Sequence, residues 1–112
     1  MGSTTEIYDS SILNECLDGD KEMITEIIEG YFDDMAGRMD EMVVAILSCD
    51  AELIHRTGHS IKGASANIGA KEASSVASEI EKAGKAGNIE KAKTHFEEFK
   101  TAFSRLESHL GK

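Results

Sequence analysis

Residues 89–110 read IEKAKTHFEEFKTAFSRLESHL, and the spacing of the apolar side chains in this stretch decides the fold class. The apolar positions follow one another at alternating steps of three and four residues: Ile89, Ala92, Phe96, Phe99, Phe103, Leu106 and Leu110. Steps of this size place side chains on one face of an α-helix. Asn88 comes directly before the first of them and is a favourable N-cap residue. The stretch therefore predicts a long amphipathic helix that begins after Asn88.

The same spacing predicts four more helices toward the N-terminus. The chain contains no proline, which would interrupt a helix, and its glycines fall mostly at the ends of segments. The expected helices cover residues 10–17, 21–48, 51–67 and 71–86. Asp9 or Ser10 is the expected N-cap of the first, and Gly19 its stop. Asp50 is the expected N-cap of the third, and Gly69 its left-handed stop.

The connections between these helices are short, and short connections make neighbouring helices antiparallel. The sequence therefore predicts an all-α fold, an up-down antiparallel four-helix bundle with a short extra N-terminal helix. Residues 5–112 are expected to form this single domain, and residues 1–4 an expression remnant or a disordered tail. The expected core stripes are Ile24, Ile28, Tyr31, Met35, Met39, Met42 and Ile46 in the second helix and Ala73, Val76, Ala77, Ile80 and Ala83 in the fourth.

The charge balance narrows the classes of partner. The formal net charge is −9 at pH 7, and nucleic acids and anionic membrane surfaces repel an acidic protein. No apolar run approaches the ~18 residues that a membrane span needs, and no signal peptide is evident. Two cysteines, Cys16 and Cys49, are too few for a disulfide framework. We therefore expect a cytoplasmic monomer that binds other proteins or small molecules, with no nucleic acid and no membrane insertion.

The stretch GHSIKGASANIGA at residues 58–70 places His59 in the third helix, with no acidic residue or cysteine close to it in sequence. At ~100° per residue, the apolar side chains of this helix lie opposite His59, which is therefore expected to point outward. The residues within about 60° of His59 at that helical period are Glu52, His55, Arg56, Lys62, Gly63 and Ala66.

Three of these neighbours favour chemistry at His59. Lys62 lies three positions on, where helix side chains are neighbours, so its ammonium can support an anion on the imidazole. Gly63 and Ala66 leave the helix surface clear, although a glycine inside a helix costs ~0.5–1 kcal/mol relative to alanine. An exposed imidazole beside a cation and a cleared surface suits a nucleophile that accepts a phosphoryl group from a large partner.

The run HSIKGASANIGA at residues 59–70 resembles the signature of histidine-containing phosphotransfer (HPt) domains of multistep phosphorelays. Ser65 and Asn67 match that signature without a role that the residues themselves assign, and Gly58 stands where the family often has alanine. The final amphipathic helix is also similar to the family, as are three segments: YFDDM at 31–35, CDAELIHRTGH at 49–59 and IEKAGKAGNIEKA at 80–92.

The resemblance implies roles for individual residues. His59 would be the phosphorylated residue, Lys62 its electrostatic support, and Gly63 the gap that lets a receiver domain approach. By its place on the same face of the helix, Ala66 is expected to widen this access. The helical period, and not the resemblance, makes His55 and Arg56 the expected neighbours of the site.

The resemblance also implies a function. The chain would accept a phosphoryl group on His59 from the phosphoaspartate of a receiver domain and pass it reversibly to another receiver. Its partners would be response-regulator receiver domains, including that of a hybrid sensor histidine kinase. An exposed imidazole is largely neutral at pH 7, since its ordinary pKa is about 6.5, so no separate base is needed. The acid and Mg²⁺ are expected on the receiver, with no intrinsic cofactor, no metal site and, for lack of a phosphate-binding loop, no ATP-dependent kinase activity.

Two other interpretations stay open at this level. His55 and His59 form an H-x-x-x-H pair, a spacing that binds zinc, although no third ligand is evident. The chain is also consistent with a helical protein-interaction module without phosphotransfer. In that case Met35, Met39 and Met42 would form an adaptable docking surface.

Overall fold

Five helices follow one another along the chain, and their bounds agree with the sequence prediction to within one residue at every end. They are α1 (Ser11–Cys16), α2 (Lys21–Leu47), α3 (Ala51–Ile68), α4 (Lys71–Lys85) and α5 (Ile89–His109). The structure, a computed structural model, describes residues 6–112, so the expectation for residues 1–4 lies outside the described residues.

Side-chain caps and one left-handed glycine fix four of the helix ends. The carboxylates of Asp20 and Asp50 and the side-chain oxygen of Asn88 each accept a hydrogen bond from the backbone N–H three residues on. Such a bond satisfies one of the free N–H groups in the first turn. Gly69 ends α3 with φ of 88°, a left-handed conformation that glycine adopts without a steric penalty. The predicted Asp50, Asn88 and Gly69 signals are thereby confirmed.

The four long helices form the predicted bundle, in which each packs on its neighbour in sequence. The α4 helix lies between α3 and α5, and α2 packs on the other side of α3. Phe32 and Phe103, whose ring centroids are 5.3 Å apart, bring α2 and α5 together and close the bundle. The short α1 packs on α3, where the N–H of Asp9 donates to the carbonyl of Gly69 at 2.7 Å.

The methionines of α2 belong mainly to the core. Met35 and Met42 have no exposed surface, and Met39 is partly buried against the same cluster. Buried thioethers fill space between the helices and cannot reach a partner protein. The interpretation of this stripe as a docking surface is therefore wrong.

A buried hydrogen bond joins α2 to α3 beneath the surface that carries His59. The hydroxyl of Tyr31 lies 2.8 Å from the hydroxyl of Ser65, and both residues are buried. Burial raises the pKa of Tyr31 to about 12, because the phenolate would lose its hydration, although the bond to Ser65 acts in the opposite direction. Ser65 thus has a structural role, which is to satisfy a phenol in the core.

Candidate functional site

His59 lies in the middle of α3, on the side of the helix that faces away from the core. Its side chain is 67% exposed, whereas Ile54 and Ile61 on the opposite side of α3 are fully buried. The predicted outward orientation is confirmed. A large partner can therefore reach the imidazole without any movement of the bundle.

An acidic side chain of this chain lies beside His59, contrary to the expectation that the acid would come only from the partner. The Nδ1 atom of His59 is 2.9 Å from Oε2 of Glu81, and the Nζ atom of Lys62 is 2.6 Å from Oε1. Glu81 belongs to α4, so helix packing brings it to a histidine from which 22 positions separate it in sequence. His59, Lys62 and Glu81 form one cluster, which we call the histidine cluster.

Two glycines allow α3 and α4 to approach closely enough for this contact. A Cβ atom at Gly58 would lie 3.0 Å from the backbone nitrogen of Glu81, and one at Gly84 would lie 2.5 Å from the backbone nitrogen of His55. Any side chain at either position would push the helices apart. Gly58 is thus a packing residue that sets the distance between Glu81 and His59.

Glu81 was missed by the sequence prediction because nothing local marks it. It stands among other charged residues of α4, and only its contact partners distinguish it. The one available signal was the pair Gly58 and Gly84, since two helical glycines near a candidate site suggest a close approach of two backbones.

The charge on Glu81 determines which nitrogen of the neutral His59 ring carries the proton. The ammonium of Lys62 and, to a smaller extent, the bond from His59 lower the pKa of Glu81, and these effects outweigh the partial burial of the carboxyl. Glu81 is therefore ionised at neutral pH and can only accept hydrogen bonds. The proton of a neutral His59 ring is accordingly assigned to Nδ1, which leaves the lone pair on Nε2 as the nucleophile.

His55 and Arg56 lie one turn before His59. The Nε2 atom of His55 is 3.7 Å from Oε2 of Glu81, which is too long for a hydrogen bond. Arg56 is exposed and lines a shallow depression with His59, Ser60 and, from α2, Glu41. Within residues 6–112 no group of three or more histidine, cysteine or acidic side chains is arranged to hold a metal ion.

The surface beside His59 is free of large side chains at Gly63 and Ala66, where the sequence predicts access for a partner. A Cβ atom at Gly63 would meet no atom within 4 Å, so packing inside the protein does not explain this glycine. Ala66 is exposed and lines an apolar depression that includes Ile12 of α1. On α2, Gly37 is equally open and lines a depression with Glu41, the residue that also borders the His59 depression. Open surface thus lies beside His59 on α3, and a second depression on α2 shares Glu41 with the His59 depression.

The chain is similar to known proteins over most of its length. The family model of the Hpt domain matches residues 26–109. The phosphorelay intermediate protein rdeA of Dictyostelium discoideum is 28% identical over 96 residues, which cover 86% of this chain, and the chain spans 38% of the length of that protein.

Two solved structures share the fold. Histidine-containing phosphotransfer protein B (HptB) from Pseudomonas aeruginosa PAO1 superposes with a TM-score of 0.84 at 21% identity, covering 92% of this chain and 90% of that chain. The histidine-containing phosphotransfer protein MtHPt2 from Medicago truncatula superposes with a TM-score of 0.83 at 23% identity, covering 94% and 75% respectively. The similarity therefore extends over the helices that carry the histidine cluster.

Proposed function

The chain belongs to the Hpt domain family, and from this we propose that it is a phosphorelay intermediate in which His59 accepts a phosphoryl group from the phosphoaspartate of one receiver domain and passes it to another. One observation carries the proposal. His59 is exposed, and its Nδ1 atom is held by Glu81, so that Nε2 is free to attack.

The transfer needs no base on this chain. The lone pair of Nε2 attacks the phosphorus atom, the N–P bond forms, and the bond from phosphorus to the aspartate oxygen breaks with its electron pair on the carboxylate. The ring keeps its Nδ1 proton and becomes positively charged, and the carboxylate of Glu81 stabilises this charge through the existing hydrogen bond. The reverse attack by a second aspartate releases a neutral imidazole, so the same geometry serves both directions.

In this mechanism, Lys62 neutralises Glu81 in addition to any contact that it makes with the phosphoryl group. Its ammonium is paired with Glu81, and the pair carries no net charge. An unpaired carboxylate at that place would repel the phosphoryl group on the neighbouring ring. Lys62 therefore lets Glu81 orient the imidazole without opposing the phosphoryl group, and Mg²⁺ held by the receiver would neutralise the oxygens on the other side.

The proposal extends to the setting of the reaction. The receivers, one of them on a hybrid sensor kinase, would dock on the cleared surface around Gly63 and Ala66, and the chain would act as a monomer in the cytoplasm without kinase activity of its own. Both cysteines are free and exposed, which suits a reducing compartment. Within residues 6–112 no helix combines the length and the apolar content that crossing a bilayer would need.

Transfer from phosphorylated receivers tests the function directly. Receivers from the same genome, loaded with a small phosphodonor and freed of it, are mixed with the protein. We expect at least one of them to transfer an acid-labile, base-stable label, whereas ATP alone gives none. Failure of every receiver would contradict the relay role, and labelling by ATP alone would contradict the absence of kinase activity.

Lys62→Ala is expected to slow transfer and to shorten the lifetime of phosphohistidine without unfolding the bundle. The change leaves Glu81 unpaired beside the phosphoryl group, whereas the core face of α3, where Ile61 is fully buried, is not altered. Rapid-quench transfer and thermal melting measure the two effects. Lys93→Ala, which removes the same charge from an exposed position of α5, is the control. A transfer rate equal to that of the control would refute the role of Lys62.

Gly63→Gln is expected to have opposite effects on stability and on transfer. Glutamine favours a helix by about 0.5–1 kcal/mol over glycine, and at position 63 its Cβ meets nothing, so the melting temperature rises. The longer side chain occupies the surface that the receiver needs, so transfer slows. Gly63→Ala is the control, since it stabilises the helix and adds only a methyl group. A Gln variant that melts higher and still transfers normally would exclude this surface as the docking site.

A further inference from the structure

We propose that Arg56 binds the phosphoryl group while it is attached to Nε2 of His59. The inference rests on the proposed function, because it requires His59 to be phosphorylated. It adds a specific partner for the phosphoryl oxygens, on the side of His59 that lies away from Lys62.

The direction of the imidazole ring supports Arg56. Nδ1 points to Glu81 on α4, so Nε2 and any group bonded to it lie on the other side of the ring. That side holds the shallow depression lined by Arg56, Ser60 and, from α2, Glu41. Side chains on a helix also lean toward its N-terminus, which brings the His59 ring over the turn that contains Arg56.

The ion pairs around His59 also favour Arg56 as the partner of the phosphoryl group. The ammonium of Lys62 is already paired with Glu81 at 2.6 Å. Arg56 takes part in none of the ion pairs formed within residues 6–112, although it is exposed and close to His59 in the helix. A guanidinium presents two parallel N–H groups that match two phosphoryl oxygens. Arg56 is thus the cation available to a dianionic group in the depression.

Glu41 borders the same depression and has the opposite charge. A carboxylate destabilises a nearby phosphoryl group by charge repulsion. Arg56 therefore also has to offset the repulsion between Glu41 and the phosphoryl group. The two residues therefore predict opposite effects on the lifetime of phosphohistidine when each is neutralised, with Arg56→Gln shortening it and Glu41→Gln prolonging it.

The experiment uses phosphoramidate, which phosphorylates histidine without a receiver and so separates the binding of the phosphoryl group from docking. The phosphorylated wild type, Arg56→Gln, Arg56→Lys, Glu41→Gln and the control Lys93→Ala are compared by the decay of phosphohistidine and by the ³¹P shift over a pH range. We expect Arg56→Gln to shorten the lifetime by about three- to fivefold, the order of an exposed charge-assisted contact. We also expect its phosphoryl group to titrate at higher pH than in the wild type.

The outcomes distinguish this inference from the proposed function. Arg56→Lys keeps the charge without the paired N–H groups and is expected to restore the lifetime in part. A decay rate and a ³¹P titration of Arg56→Gln that equal those of Lys93→Ala would overturn the role of Arg56 and leave the relay role intact. Absence of any label on His59 in the wild type would overturn the proposed function, and this inference with it.

Discussion

His59→Gln is expected to abolish acid-labile labelling by a phosphorylated receiver and to leave the helix content close to that of the wild type. Glutamine has no nitrogen nucleophile at the position of Nε2. The side chain of His59 is 67% exposed, and exposed substitutions usually change the free energy of unfolding by no more than about 0.5 kcal/mol. Labelling and far-ultraviolet circular dichroism on one preparation measure both effects.

The control for this variant is His95→Gln on α5. His95 also bonds to an acidic side chain, with its Nδ1 2.7 Å from Oε1 of Glu98, but it lies on another helix. Its variant should accept the label at the wild-type rate. Persistent labelling of His59→Gln would show that another residue carries the phosphoryl group.

Glu81→Gln is expected to slow transfer on the order of tenfold, which corresponds to about 1.4 kcal/mol of transition-state stabilisation. The amide no longer offers a negative charge to the ring as it becomes positive. It also no longer requires the proton to be on Nδ1. The ¹⁵N shifts of His59 should therefore change from a single tautomer to a mixture, an effect that a merely structural role of Glu81 would not produce.

The control for this variant is Glu79→Gln, also on α4, where the side chain is 47% exposed and pairs with Lys82. It should leave the transfer rate and the His59 tautomer unchanged. If Glu81→Gln transferred as fast as Glu79→Gln, the hydrogen bond to Nδ1 would have no part in the reaction.

Glu81 should also make the stability of the bundle depend on pH. The bond from Lys62 lowers the pKa of Glu81 in the folded protein below its ordinary value of 4.5. An acid with a lowered pKa stabilises the folded state above its unfolded pKa, and this contribution is lost as the pH falls through the folded value. The difference in unfolding free energy between the wild type and Glu81→Gln should therefore shrink below pH 4.5.

The sequence predicts the fold well because its signals are local. The alternation of three- and four-residue steps in α5 defines a helix without reference to the rest of the chain. The caps at Asp50 and Asn88 act on N–H groups only three residues away. With short connections, these helices have few ways to pack other than as an antiparallel bundle.

The part of the site that lies on one helix was predicted in the same way. The helical period alone places His59, Lys62 and Gly63 on one face of α3. Glu81 depends on the register between α3 and α4, which close contacts at Gly58 and Gly84 determine. The bond between Tyr31 and Ser65 likewise joins two helices, so neither contact could be read from the spacing within one segment.

In the proposed relay, Nε2 of His59 carries the phosphoryl group. Phosphorus–nitrogen coupling, measured by NMR on ¹⁵N-labelled protein phosphorylated by a receiver, tests it most directly. We expect one coupled nitrogen, Nε2 of His59, with Nδ1 still protonated and bonded to Glu81. Coupling to Nδ1 of His59, or to a nitrogen of His55, His95 or His109, would contradict it.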